Sequence, residues 1–192
     1  MISSATFHVI STELVVGSFA MAGLCFLLKT TYLLGFLKSD KLSLISDYAG
    51  HFALGFGLIA TPFAILSGIS ASPGDGISSP LLVNKMFLSM TAVGIAVAVL
   101  FTRLRLSEQV WNSKQNGLLH GFAGMAASGI MLITASAGGK FSRGESLLDI
   151  FSLPYDTIFL MPMWISTVIL LIGSVSVVTS LMALMRKSTI QH

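Results

Sequence analysis

Five apolar segments, each long enough to cross a bilayer as a helix, take up most of this chain. A spanning helix needs about 20 mostly apolar residues. The stretches near 7–28, 48–70, 81–104, 117–137 and 158–185 meet that length. The connections between them are short and have turn chemistry: "KSDKLS" (38–43), "SPGDGISSP" (72–80), "RLSEQVWNSK" (105–114) and "GGKFSRGESLLDIFSLP" (138–154). Only 10% of the 192 residues are charged, against about 25% in soluble domains, and the mean hydropathy is +0.86. The expected fold is an all-α integral membrane protein, a multi-pass bundle of five transmembrane helices in the cell membrane. The N-terminal "MISSATFHVIS" has no positive region and no clear cleavage site, so no removable signal peptide is expected.

Basic residues set the expected orientation. Lys29, Lys38, Lys41, Arg103, Arg105, Lys114, Arg186 and Lys187 fall on one side of the spans; Lys85, Lys140 and Arg143 fall on the other. Loops enriched in Lys and Arg face the cytoplasm, which puts the N-terminus outside and the C-terminus inside. The pI near 9.2 therefore reads as topology rather than as a nucleic-acid footprint, and the partners expected are the lipid bilayer and other membrane subunits. Cys25, the one cysteine, excludes an intrachain disulfide framework and any multi-cysteine metal site. Asp47 reads as the N-cap of the second helix. Trp111 and Trp164 read as aromatic-belt residues at opposite interfaces, and Pro62 and Pro162 as bends or helix starts.

The histidines sort by depth. His51 and His120 each lie about one turn, roughly 5 Å, inside the cytoplasmic end of their helices, and those helices run in parallel. His192 reads as solvated, and His8 as the start of a helix near the opposite face. "GHFALGFG" and "HGFAGMAASG" frame the two central histidines alike, which suggests a weak repeat of a two-helix unit or simple likeness between Gly/Ala-rich helices. A b-type haem between helices needs two facing imidazoles as axial ligands and small residues to admit the porphyrin. Gly55 beside His51, with Gly117 and Gly124 beside His120, supplies such residues on the same faces. The same pattern, Gly117 to Gly121, is equally a helix-contact motif, so haem ligation and close packing both stay open here.

A second group lies near the outer face: His8, Glu13, Lys85, Met86, Met90, Met161 and Met163. Glu13 is the deepest charge in the chain and needs a partner; a structural pair with Lys85 at similar depth is the expected one. The functional alternatives are a proton or quinol site at His8 and Glu13, or a copper site at His8, Met161 and Met163, thioethers being soft ligands. Methionine is also ordinary core filler, which leaves copper the weaker reading. The sequence offers no phosphate-cradling loop, nucleophile elbow or paired-carboxylate arrangement.

Three stretches carry a resemblance. "FHVISTEL" (7–14), "GLIATPFAILSGISA" (57–71) and "ASAGGKFSRGESLLDIF" (135–151) resemble an uncharacterised prokaryotic family of four-helix membrane proteins, a domain of unknown function. That family has a His-Phe-Pro-type first helix and a Gly-Gly motif closing the fourth. The likeness covers residues 1–151 as a four-helix membrane domain and leaves 152–192 as an added fifth helix with a short cytoplasmic tail. It implies a helical bundle in redox or respiratory membranes and supplies no reaction. The family's histidine early in the third helix is absent here, where Asn84 and Lys85 stand instead.

Two functional classes follow. In the first, the chain is a non-catalytic accessory subunit of a membrane-bound oxidoreductase complex, a respiratory enzyme or membrane monooxygenase. In the second, it is an electron-transfer subunit with haem b between His51 and His120. A transporter is a weaker third, because no discontinuous helix is visible.

Overall fold

The computed structural model describes residues 3–71, 78–146, 149–150 and 171. The chain divides into two compact units, Met1–Ile158 and Phe159–His192. The first contains four long helices: α1 (Ser4–Leu33), α2 (Asp40–Ala71), α3 (Pro80–Leu106) and α4 (Lys114–Arg143), with a 3-10 helix at Ser107–Trp111 between α3 and α4. All four long helices are apolar and long enough to cross a membrane. Of the second unit only Leu171, a helical residue, is described; the expected fifth helix, Trp164 and Pro162 lie outside the described residues.

The helices overrun their apolar segments, and the reasons are local. Ser39 Oγ accepts from the Leu42 amide at 3.3 Å, which starts α2 at Asp40, well before the apolar run begins. Gly35, at φ +86°, ends α1 by donating its N–H to the Tyr32 carbonyl at 2.9 Å, a left-handed turn that glycine adopts without steric cost. The Gly-Gly pair at 138–139 does not open a loop as expected. It continues α4 to Arg143, and Gly144, at φ +78°, supplies the left-handed cap. Pro62 sits inside α2, where the helix runs on through Ala71. In the loop beyond α4, the Ser146 amide donates to Asp149 at 2.9 Å and Lys140 stands 3.2 Å from the same carboxylate. Both hold the Asp149 pKa below its ordinary value.

In the bundle, α1 lies against both α2 and α4, α3 lies against α4, and α2 meets α3 over a shorter region. Helix α1 supplies bulk and its neighbours supply room. Phe19 and Phe26 are fully buried with Leu54, among Ala53, Ala60, Ala92, Ala96 and Ala127. A Cβ on Gly57 of α2 would come within 2.8 Å of the Phe19 ring. On α4, a Cβ on Gly117 would stand 2.8 Å from Leu33, and Cβ atoms on Gly121 and Gly124 would collide with Thr30 and Phe26. The glycine rows are thus grooves that receive α1 side chains, the small-residue packing that membrane helices use in place of a hydrophobic drive. The outward faces are apolar, as on α2, where Phe52, Phe56, Ile59, Phe63 and Leu66 are all exposed.

Candidate functional site

A cluster of buried charged and aromatic side chains lies at the end of the bundle where α1 turns into α2. Asp47 and His51 are one turn apart on the inner face of α2, an i,i+4 pair whose side chains necessarily meet. Arg103 comes from α3, Trp111 from the 3-10 helix, His120 from α4 and Lys29 from α1. Asp47 is buried and is the hub. Arg103 grips it in a fork, Nη2 to Oδ2 at 2.8 Å and Nε to Oδ1 at 3.3 Å, the planar geometry in which guanidinium and carboxylate pair best. The indole Nε1–H of Trp111 donates to Oδ1 at 2.8 Å, and His51 Nδ1 stands 3.1 Å from the same oxygen.

The chain of bonds continues through the imidazoles. His51 Nδ1 lies 2.7 Å from the Asp47 carbonyl as well as beside the carboxylate, so two acceptors face it and this nitrogen carries a proton. On the other side of the ring, His51 Nε2 and His120 Nε2 are 2.9 Å apart. One proton lies between those two nitrogens; with a neutral His51, His120 is the donor. The rings are nearly parallel, with centroids 5.2 Å apart. Phe26 presents its edge or face to both, and Trp111 packs against His120 at 5.0 Å and 85°. Lys29 donates to Ser43 at 2.9 Å and lies 5.1 Å over the Trp111 ring, a cation–π contact. At the rim, Tyr48 donates to Glu108, and Arg103 covers the Tyr48 ring.

Two expectations change here. Asp47 is no N-cap: it lies two turns inside α2, because the helix starts at Asp40. Trp111 is no belt residue: the 3-10 turn aims its indole inward onto Asp47. Sequence reasoning also missed Arg103 and Lys29 as site residues, reading them only as topology signals. The available signal was spacing, since Asp47 precedes His51 by one helical turn, Arg103 falls inside the end of an apolar segment and Lys29 follows one directly.

The residues present do not fit a haem. Iron held by both histidines would stand between the two Nε2 atoms, which here bond to each other. The space a porphyrin would take beside His120 is filled, Gly117 by Leu33 and Gly124 by Phe26, while Gly55 faces Leu100 at 3.7 Å from its Cβ position. The arrangement can hold a charge pair and a shared proton in a mostly buried setting.

At the opposite end the expected pair does not form. Glu13 is exposed on α1, whereas Lys85 of α3 rests its Nζ against Gly138 of α4, 3.0 Å from a Cβ built there. Helices α1 and α3 stand diagonally across the bundle, so equal depth does not bring their side chains together. His8 instead bonds Ser67 of α2 at 3.1 Å. Met86 and Met90 point outward, and Met161 and Met163 lie outside the described residues. Among the described residues, no three His, Cys, Asp or Glu side chains are grouped to hold a metal ion.

The fold and site define a class: an all-helical, membrane-compatible bundle tied by a buried Asp–Arg–His–His network. No protein-family model, curated protein or solved structure matches the chain.

Proposed function

We propose that this chain is a non-catalytic accessory subunit of a larger membrane complex, anchored in the cell membrane as a multi-pass bundle. The oxidoreductase class of that complex rests on the resemblance of three short stretches to a family of redox membranes. The observation that carries the accessory reading is the closure of the polar cluster. Arg103, Trp111 and His51 each hold Asp47, and His51 and His120 meet through their Nε2 atoms. Phe26 and Trp111 pack around the two rings. Groups so paired act as a clasp between α2, α3 and α4, which supports a structural role. The haem reading is the less supported alternative, because it requires this clasp to open.

Migration of the chain extracted from its native membranes in mild detergent tests the proposal. It is expected in a band far heavier than the 20.4 kDa chain, accompanied by other membrane subunits. Migration as a lone chain would overturn the accessory-subunit reading.

A further inference from the structure

We propose that the His51–His120 pair makes the tie between α2 and α4 proton-operated: it stays closed with one added proton and opens with two. This regulates the clasp itself and holds whether or not the chain works inside a larger complex. Helices α2 and α4 stand diagonally across the bundle, each bordered by α1 and α3. The two imidazoles reach over that diagonal, Nε2 to Nε2 at 2.9 Å. Beside them Asp47 bonds Arg103 and Trp111, and Tyr48 bonds Glu108. Because α2 meets α3 over only a short region, its place against the α3–α4 pair is sensitive to these side-chain bonds.

The proton limit follows from the lone pairs. His51 Nδ1 faces the Asp47 carbonyl at 2.7 Å and its carboxylate at 3.1 Å, so that nitrogen is already a donor. One proton lies between the two Nε2 atoms. A first added proton goes to His120 Nδ1, and the shared bond survives as a charge-assisted imidazolium–imidazole bond. The one lone pair then left is the one His51 Nε2 uses to accept that bond. A second added proton therefore turns both Nε2 atoms into donors 2.9 Å apart, and the rings must separate.

The surrounding charges do not offset a second proton. Helix α2 contributes the Asp47 carboxylate, which Arg103 of α3 already grips. Helix α1 contributes Lys29, over the Trp111 ring that packs on His120. Glu108 of the 3-10 helix is bonded to Tyr48 at the rim, and Lys114 of α4 is exposed at the helix start. Separated imidazoles each take up a proton near an ordinary pKa of about 6.5. The open form thus binds one proton more than the closed one and gains population as pH falls.

Spin labels introduced by Leu44→Cys on α2 and Leu119→Cys on α4, both exposed, report the helix separation in the full purified chain, with the buried Cys25 changed to Ala. From about pH 8 to about pH 5, a longer distance is expected to grow roughly fivefold or more in population. The nitrogen–nitrogen coupling across the pair should survive its first protonation and vanish at the second. His120→Gln keeps a donor toward His51 without a titrating ring, and one short distance is expected at both pH values; His51→Gln should behave likewise. His8→Gln, at the other end of the bundle beside Ser67, is expected to respond as the wild type does. An unchanged wild-type distance at low pH, loss of the coupling at the first protonation, or a wild-type response in the His51 and His120 variants would overturn the proposal. Migration of the native chain alone would remove the accessory reading and leave this result standing.

Discussion

Asp47→Ala is expected to cost about 3–5 kcal/mol of stability, the usual consequence of removing one partner from a buried ion pair. The loss has a clear source. The Arg103 side chain is only 13% exposed and that of Asp47 only 2%, so the guanidinium would be left charged, mostly buried and without its counter-ion. The donors on Trp111 and His51 lose their acceptor at the same time. Unfolding of the purified chain by a graded denaturing detergent, followed by Trp fluorescence, reads the effect. The double variant Asp47→Ala with Arg103→Met is expected to lose clearly less than the sum of the two single losses, because the stranded charge goes with its partner. A single-variant loss under about 1 kcal/mol would mean that water reaches the cluster, since exposed pairs contribute only that much.

The second large effect lies in the grooves. Gly124→Ala would drive a Cβ into the Phe26 ring, and Gly57→Ala would place one 2.8 Å from Phe19. Both neighbours are fully buried aromatic rings without a free end to swing aside. Each substitution is expected to cost about 1–3 kcal/mol, typical of overpacking. Gly94→Ala and Gly129→Ala provide the contrast, because nothing lies within 4 Å of either Cβ position. They are expected to be neutral or to gain up to about 1 kcal/mol from helix propensity. The same unfolding measurement compares all four; equal effects would contradict the assignment of the glycine rows to α1 packing.

Depth was legible in the sequence and azimuth was not. The four helices of the first unit follow from their apolar runs, and His51 and His120 follow from their equal distance to parallel helix ends. Asp47 was obscured because hydropathy marks where the apolar stretch begins, near Tyr48, whereas capping by Ser39 begins the helix at Asp40. Trp111 was obscured because a short 3-10 turn, invisible to periodicity, decides which way its indole faces. Glu13 and Lys85 show the same limit from the other direction. Their levels match, but α1 borders α2 and α4, so the pairing fails on which helices are neighbours. The glycines could not choose between a porphyrin and a helix from sequence, since both need absent side chains; Leu33, Thr30 and Phe26 occupy those positions.

The account stands on the claim that the central histidines bond to each other in a closed clasp. Nuclear magnetic resonance of the native-purified chain with nitrogen-labelled histidine tests it most directly. The predicted result is a coupling between His51 Nε2 and His120 Nε2 through one shared proton, with His51 Nδ1 protonated. That coupling should vanish in His120→Ala. Shifts of both Nε2 nitrogens characteristic of metal ligation, with no coupling between them, would contradict the clasp and restore the cofactor site.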